Sequence, residues 1–119
     1  MLKKIYEASA VYEGEYNMSS QYHGKGKITY KDGSYYDGEW ENGKRHGFGI
    51  EWLYDGSSYR GYYQDDKRHG QGTYYSQNKQ SYEVNFEYGI MDGEAVVTDA
   101  WGRKYKSFFY QGLEIKQVR

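Results

Sequence analysis

A chain of 119 residues with a net charge of −1 is long enough for one small domain. It has no cysteine, which excludes disulfides, thiolate catalysis and cysteine-ligated zinc, and its 16 basic and 17 acidic residues predict no bulk attraction to nucleic acid. Its 17 tyrosines, 4 phenylalanines and 3 tryptophans favour strands, while aliphatic residues are too few for a thick core. The composition predicts a thin, tyrosine-rich sheet.

The N-terminal segment, residues 2–8, is predicted to be a strand, with Tyr6 in the position that Tyr30 takes in the first complete repeat. Its apolar residues are few and are interrupted by Glu7, which is not typical of a signal peptide. No stretch of the chain approaches the length of a transmembrane helix. We therefore expect a cytoplasmic protein.

A 23-residue repeat organises the rest of the chain. Tyrosines and glycines both recur at this step, at Tyr36, Tyr59, Tyr82 and Tyr105 and at Gly24, Gly47, Gly70 and Gly93. Tyr12 precedes Tyr36 by 24 residues, which places one inserted residue between Tyr16 and Gly24. The predicted single domain has a half unit (2–10), four units (12–35, 36–58, 59–81 and 82–104) and a terminal half unit (105–119).

Each unit is predicted to be one β-hairpin. The run from Tyr36 to Trp40, Tyr-x-Gly-x-Trp, alternates with period two, as strands do. Asn42–Gly43 and Asp55–Gly56 tolerate the positive φ angles of hairpin turns. The fold class is therefore all-β, an elongated, single-layer antiparallel meander of repeated hairpins. Its roughly ten strands at about 4.8 Å spacing would span about 45 Å.

The hairpin loop at 32–34 sets the predicted register. A three-residue loop at this position would pair Tyr30 with Tyr36, Ile28 with Gly38 and Gly26 with Trp40. Each glycine would then leave room for a ring lying flat on the sheet, so that a single layer could bury apolar area.

The recurring YxGxW and HGxGxxxxxDG patterns resemble the membrane occupation and recognition nexus (MORN) repeat family. Residues 36–49, YDGEWENGKRHGFG, are similar to the family pattern almost throughout. The fourth unit departs from it with Val84 and Ala95, and the fifth with Ser107, where glycines are expected. The C-terminal third therefore has two alternatives, an open aromatic groove or a closed, capping end.

A row of aromatic residues is predicted to form a partner-binding groove: Tyr12, Tyr16, Tyr36, Trp40, Tyr59 and Tyr63. These rings pack over the glycines first. Tyr and Trp are also the side chains that protein interfaces favour, so we expect an exposed row of them to bind a peptide or helix.

A second contact is predicted where the pattern changes. Glu51 takes the position of Ile28, and apolar residues fall on the opposite parity, namely Ile50, Trp52, Tyr54 and, one repeat later, Tyr75. Trp52 and Tyr75 would stack on the back of the sheet and could form a dimer interface. The alternative is a β-bulge that returns these side chains to the groove.

A basic rim for anionic lipid is a further prediction. Lys44, Arg45, Lys67 and Arg68 fall at equivalent turns and would line one edge of the sheet. The alternative, which we favour, is that these cations keep the turns soluble and protect the edge from stray strand pairing.

No catalytic or metal site is predicted. His23, His46 and His69 are one repeat apart, about 10 Å, whereas zinc ligands lie about 2 Å from the ion. The GxxxxGK match at 38–44 lacks the following Ser or Thr and a helix. We expect no enzyme activity and no cofactor.

The resemblance implies an interaction or scaffold module of the cytoskeleton or of membrane-associated structures. We expect a protein partner, and a homodimer or larger complex is consistent with the exposed ring area. Peripheral binding to phosphoinositides is the alternative. Nucleic acid is not an expected partner.

Overall fold

The computed structural model describes residues 2–6 and 9–115, and these form one antiparallel sheet of eleven strands in chain order. The strands are β1 (Leu2–Tyr6), β2 (Ala10–Tyr16), β3 (Tyr22–Tyr30), β4 (Tyr35–Glu41), β5 (Lys44–Trp52), β6 (Ser58–Gln64), β7 (Lys67–Tyr75), β8 (Ser81–Glu87), β9 (Ile90–Thr98), β10 (Lys104–Tyr110) and β11 (Leu113–Ile115). The predicted all-β meander of hairpins is confirmed. The molecule measures 56 × 23 × 20 Å, longer than predicted, and β11 is the strand that the count of ten omitted.

Two-residue turns close the hairpins at one edge of the sheet. In Asn42–Gly43 both residues have positive φ, 49° and 85°, and in Asp65–Asp66 the angles are 49° and 72°. Two positive φ angles are typical of type I′ turns, which match the twist of the strands. The inserted residue of the first unit lies in the longer turn between Tyr16 and Tyr22, as predicted.

The predicted register is wrong by two residues. Gly26 pairs with Gly38, and Ile28 pairs with Tyr36. The three-residue loop covers positions 31–33, closed by a hydrogen bond from Tyr30 N to Ser34 O, instead of 32–34. Gly33, with φ at +90°, is the last residue of this loop, where such loops place the left-handed residue. Moving the loop by one residue shifts every pair by two.

With this register, six glycines lie side by side across the sheet and form the glycine row: Gly14, Gly26, Gly38, Gly49, Gly61 and Gly72. Val84, Ala95 and Ser107 continue the row at the C-terminal end. The predicted coverage of glycines by rings occurs, although the pairing is different. A Cβ atom added at Gly26 would collide with the Tyr12 ring, and one at Gly72 with the Tyr59 ring.

The core lies on one face of this single layer, here called the ring face. Tyr12, Tyr36 and Tyr59 lie against the glycine row, and their hydroxyls donate to main-chain carbonyls three residues further on, at 2.6, 2.8 and 3.0 Å. Trp40 packs edge-on against Tyr36, with ring centroids 5.1 Å apart, and donates from Nε1 to Gly26 O at 2.9 Å. Flat rings over bare backbone therefore bury apolar area without a second layer.

The two ends of the sheet differ from the central units. Val84, Ala95 and Ser107 are buried, so side chains fill the space that rings occupy elsewhere. Leu113 and Tyr110 are exposed on the last strands that the structure describes. At the other end Tyr6 pairs with Val11, which places it in the position of Thr29 instead of the predicted Tyr30. Residues 7 and 8 of the predicted first strand lie outside the described residues.

Candidate functional site

The predicted groove residues form the core of the protein. Five of the six have side chains that are 0–6% exposed, namely Tyr12, Tyr36, Trp40, Tyr59 and Tyr63, and Tyr16 is half-buried. The expectation of an exposed row of rings is wrong for these five, because three of the rings lie on the glycine row and those of Trp40 and Tyr63 pack edge-on against them. Their contact with a partner remains a prediction. The accessible surfaces of the protein are therefore formed mainly by other residues.

A second set of side chains covers the buried rings, again at a 23-residue step: Tyr22, Arg45, Arg68 and Met91. Tyr22 stacks on Tyr12 with ring centroids 3.9 Å apart. Arg45 Cζ lies 5.1 Å from the Tyr63 ring centroid, and Arg68 Cζ lies 4.7 Å from that of Tyr59. Guanidinium groups at these distances make cation–π contacts. The arginines therefore belong to the packing of the ring face.

Glu51 neutralises these arginines. Its Oε1 accepts a hydrogen bond from the Tyr63 hydroxyl at 2.6 Å and lies 2.9 Å from Arg68 Nη2, while Oε2 lies 3.7 Å from Arg45 Nη1. Arg45 also pairs with Asp66 at 2.7 Å. Burial, reinforced by the Glu51 carboxylate, raises the pKa of Tyr63 far above its ordinary value. The change from Ile28 to Glu51 in the repeat thus creates a charged network on the ring face.

The predicted basic rim is divided by this packing. Lys44 and Lys67 are exposed at the turns, but Arg45 and Arg68 are turned inward and paired with carboxylates. The four cations therefore do not form one continuous rim. The reason is strand parity, since consecutive residues of a strand point to opposite faces. Lipid binding at this edge remains a prediction that rests on two lysines.

Two of the three histidines connect neighbouring hairpin turns. His23 Nδ1 accepts a hydrogen bond from Asn42 N at 3.3 Å, and His69 Nδ1 accepts one from Tyr88 N at 3.1 Å. His46 Nε2 lies 3.2 Å from a carboxylate oxygen of Glu41. Among the described residues, no cluster of three or more His, Cys, Asp or Glu side chains could hold a metal ion.

The opposite face of the sheet, here called the back face, carries the predicted second contact. Trp52 pairs with Ser58, and Ser58 pairs with Tyr75, so the two rings flank this small buried residue. Strand alternation places all three residues on the face of the sheet that Tyr59 does not occupy. The alternative, a bulge that returns these side chains to the groove, is therefore wrong. The predicted direct stacking is also wrong, because Ser58 separates the rings by two strand spacings, about 10 Å.

Trp52 and Tyr75 form the walls of an open cleft, here called the back-face cleft, with a volume of 460 Å³. Their side chains are 46% and 42% exposed. Ile50 and Ser58 contribute to its lining, whereas Tyr54, 77% exposed in the adjacent turn, does not line it. Two half-exposed rings on a sheet that hydrogen bonds hold rigid make an accessible apolar surface.

The charged residues that line the back-face cleft are both cations, Arg60 and Lys79. Arg60 lies between Ile50 and Thr73 on the neighbouring strands, with no carboxylate opposite it. Lys27, at the same level of the sheet, lies between Glu13 and Asp37. No ion pair of Arg60 or Lys79 occurs within residues 2–6 and 9–115. The cleft therefore combines apolar walls with uncompensated positive charge.

Sequence reasoning did not identify Ser58, Arg60 or Lys79. One signal was present for Lys79, because it stands at the step where Gly33, Gly56 and Gly102 have glycine. Lys79 has a φ of +65°, in the region that favours glycine. Ser58 and Arg60 lacked such a signal, since their importance depends on which residues lie across from them.

Comparisons with known proteins address the fold and its class of function. No helix within the described residues has the length and apolar character needed to cross a membrane. A search of curated proteins found no match to this chain. The family model for the MORN repeat matches three consecutive stretches, residues 12–35, 36–58 and 59–81. These cover more than half of the 119 residues. The chain therefore belongs to the MORN repeat family.

Proposed function

We propose that this chain is a non-enzymatic protein-interaction module whose rigid sheet presents the back-face cleft to a protein partner. MORN repeats are generally modules for protein or membrane interaction, and this supports the class of function. The observation that carries the proposal is the pair of half-exposed rings, Trp52 and Tyr75, on either side of Ser58. Trp and Tyr are enriched among the residues that contribute most of the binding energy at protein interfaces.

The arrangement of cations favours a protein partner over a membrane. Lipid binding through electrostatics requires several lysines or arginines on one surface, each worth about 1 kcal/mol. Arg45 and Arg68 are paired with Glu51 and Asp66 on the ring face. Lys44 and Lys67 alone would contribute about 2 kcal/mol, too little for stable attachment. Phosphoinositide binding is therefore the second candidate function, carried by these two exposed lysines.

The elongated shape supports the scaffold role that we propose, in the cytoplasm. A sheet 56 Å long that is 23 Å wide can hold partners at fixed positions along its axis. A second copy of the chain is a competing occupant of the back-face cleft, and would produce a homodimer.

Affinity purification from the native organism tests the proposal. The bait would be the wild-type protein, the double variant Trp52→Ala with Tyr75→Ala, and Trp101→Ala as a control, because Trp101 is 80% exposed outside the cleft. We expect partners retained by the wild type and by the control to be lost from the double variant. Circular dichroism and light scattering would check that all three proteins share fold and mass.

Two results would reverse the assignment. Partners retained equally by the double variant would show that the cleft is not the contact. Sedimentation with phosphoinositide vesicles at physiological salt, abolished by Lys44→Ala with Lys67→Ala, would favour membrane binding instead.

A further inference from the structure

We infer that the back-face cleft takes an extended, proline-containing peptide with acidic residues beside the proline. The inference rests on the proposed function and specifies the chemistry of its partner. It depends on the position of the two aromatic side chains that form the walls of the cleft, on the backbone hydrogen bonding of the strand beneath them, and on the charge of the residues that line the cleft.

The walls occur at one place along the described sheet. Residues equivalent to Trp52 and Tyr75 recur every 23 positions, at Tyr6, Thr29 and Thr98. Between Thr29 and Trp52 the intervening strand contributes Tyr35, a large side chain, and beyond Tyr75 the next equivalent is Thr98. In the part of the chain that the structure describes, two rings thus flank a small residue only around Ser58. Because the back-face cleft is restricted to one repeat, the fold itself does not require it.

The floor of the back-face cleft limits the conformation that a bound peptide can have. Strand β6 is paired with β5 on one side and β7 on the other, so its backbone groups are used within the sheet. A peptide on this face cannot add as a further strand, which requires an open edge. An α-helix is about 10 Å across, and the strands that carry the two rings are themselves about 10 Å apart, so a helix does not fit between the rings. A polyproline II segment fits, because it is narrow and needs no hydrogen bonds from the floor.

Proline is the residue that suits these walls. Its ring has no N–H to leave unsatisfied, and pyrrolidine rings dock between aromatic side chains in known proline-recognition grooves. The polyproline II conformation is also formed before binding, so little chain entropy is lost.

The lining charge selects acidic neighbours for the proline. Arg60 and Lys79 are the charged residues of the cleft, and neither is paired within the described chain. The same charge excludes methylated lysine, the other ligand of aromatic cages. Lys79 holds a positive φ of +65° where three other units have glycine. The hairpin loop imposes this angle, so a lysine is less favourable for stability than a glycine at this position.

Three synthetic peptides test the inference on the whole chain: an acidic peptide rich in proline, the same peptide with alanine for proline, and a peptide with lysine for the acidic residues. Binding would be followed by tryptophan fluorescence in a Trp101→Phe background, where Trp40 is buried and Trp52 reports on the cleft. We expect the acidic proline peptide to bind at least tenfold more tightly than either other peptide, with an affinity that falls as salt rises.

The variants separate binding from folding. Trp52→Ala, read by calorimetry, should weaken binding of the acidic proline peptide about tenfold. Arg60→Glu with Lys79→Glu should reverse the preference in favour of the lysine peptide. Lys79→Gly should weaken binding yet raise the melting temperature, because glycine adopts a positive φ without strain. Lys31→Ala, at an exposed turn residue outside the cleft lining, is the control and should change neither quantity.

Binding of the alanine peptide as tightly as the proline peptide, or affinity unchanged by Trp52→Ala, would overturn the inference. Absence of binding by all three peptides would overturn it as well. If the acidic proline peptide did not bind while the double variant Trp52→Ala with Tyr75→Ala lost a native partner in the purification, the proposed function would stand and the peptide chemistry would be wrong. Self-association abolished by these substitutions would identify a second copy as the occupant.

Discussion

The ring of Tyr36 lies on Gly49, a residue of the neighbouring strand. A Cβ atom placed on Gly49 would collide with Cε1, Cζ and Oη of this ring. The hydroxyl of Tyr36 continues past the glycine to donate to Glu39 O at 2.8 Å. The relationship recurs between Tyr12 and Gly26 and explains how a sheet of one layer buries its tyrosines.

Substitution of Gly49 by alanine should destabilise the protein by about 2–4 kcal/mol, from overpacking and from the displaced hydroxyl hydrogen bond. The φ of Gly49 is not positive, so the effect is due to the ring and not to backbone strain. Urea unfolding followed by circular dichroism measures it. Ala95 is the control, because it takes the equivalent position in the fourth unit, and Ala95→Gly should bring no gain in stability. A neutral or stabilising Gly49→Ala would contradict this account of the glycine row.

Removal of the Trp40 side chain should cost about 3–5 kcal/mol, as for other buried large side chains. Trp40 fills the space beside Tyr12 and Tyr36 and donates to Gly26 O. Trp40→Phe should retain most of the stability, because Phe86 is buried at the corresponding position two repeats on. Thermal unfolding compares these variants with Trp101→Ala, which should stay within about 0.5 kcal/mol of wild type. Equal losses at both tryptophans would refute the distinction.

Glu51 and Tyr63 should be energetically coupled by about 1 kcal/mol, since their hydrogen bond joins a partly buried carboxylate to a buried hydroxyl. The measurement is a double-mutant cycle of Glu51→Gln and Tyr63→Phe in urea. Glu83→Gln with Tyr63→Phe is the matched cycle, because Glu83 is exposed on a different strand. Additivity of the Glu51 cycle within about 0.3 kcal/mol would show that the hydrogen bond contributes nothing measurable.

Stability should fall as the pH rises above about 10. Burial raises the pKa of Tyr12 and of Tyr59 to about 12, and raises those of Tyr36 and Tyr63 further. The folded state therefore keeps protons that the unfolded state loses above pH 10. The stabilisation is complete below the unfolded pKa and is lost as pH rises, by up to about 1.4 kcal/mol per pH unit for each such tyrosine.

Absorbance at 295 nm, with unfolding free energies at pH 8, 10 and 11, tests this dependence. Tyr12, Tyr36, Tyr59 and Tyr63, whose pKa values burial raises, should ionise only as the protein unfolds. Titration of all 17 tyrosines as one class with the fold intact would contradict it. Tyr59→Phe should reduce the slope of the unfolding free energy against pH above pH 10.

Much of the fold could be predicted because its signals are local. The alternation around Trp40 indicates a strand, and Asn42–Gly43 indicates a tight turn, within a few residues of chain. The repeat then extends one hairpin along the sheet. The error in the register came from the choice between two adjacent three-residue loops, 31–33 and 32–34, of which only 31–33 places Gly33 last, where such loops have their left-handed residue. The choice between them moves each pairing by two residues.

The candidate site was predictable only in part. The parity change that placed Trp52 and Tyr75 opposite to Tyr36 is visible in the sequence, and the structure confirms that these residues lie on the back face. Their separation by Ser58 is a relationship between three strands and has no counterpart in the chain order. The inward turn of Arg45 likewise depends on the rings that it covers and on the carboxylates that pair with it.

The sequence by itself determined the repeat, the strand type and the order of hairpins, because backbone preferences and alternation act over short distances. Only the tertiary structure decided which aromatic side chains are core and which are surface. A ring is buried when a glycine on the neighbouring strand leaves room beneath it and other side chains close over it. Tyr36 meets both conditions, whereas Trp52, on the other face, borders an open cleft.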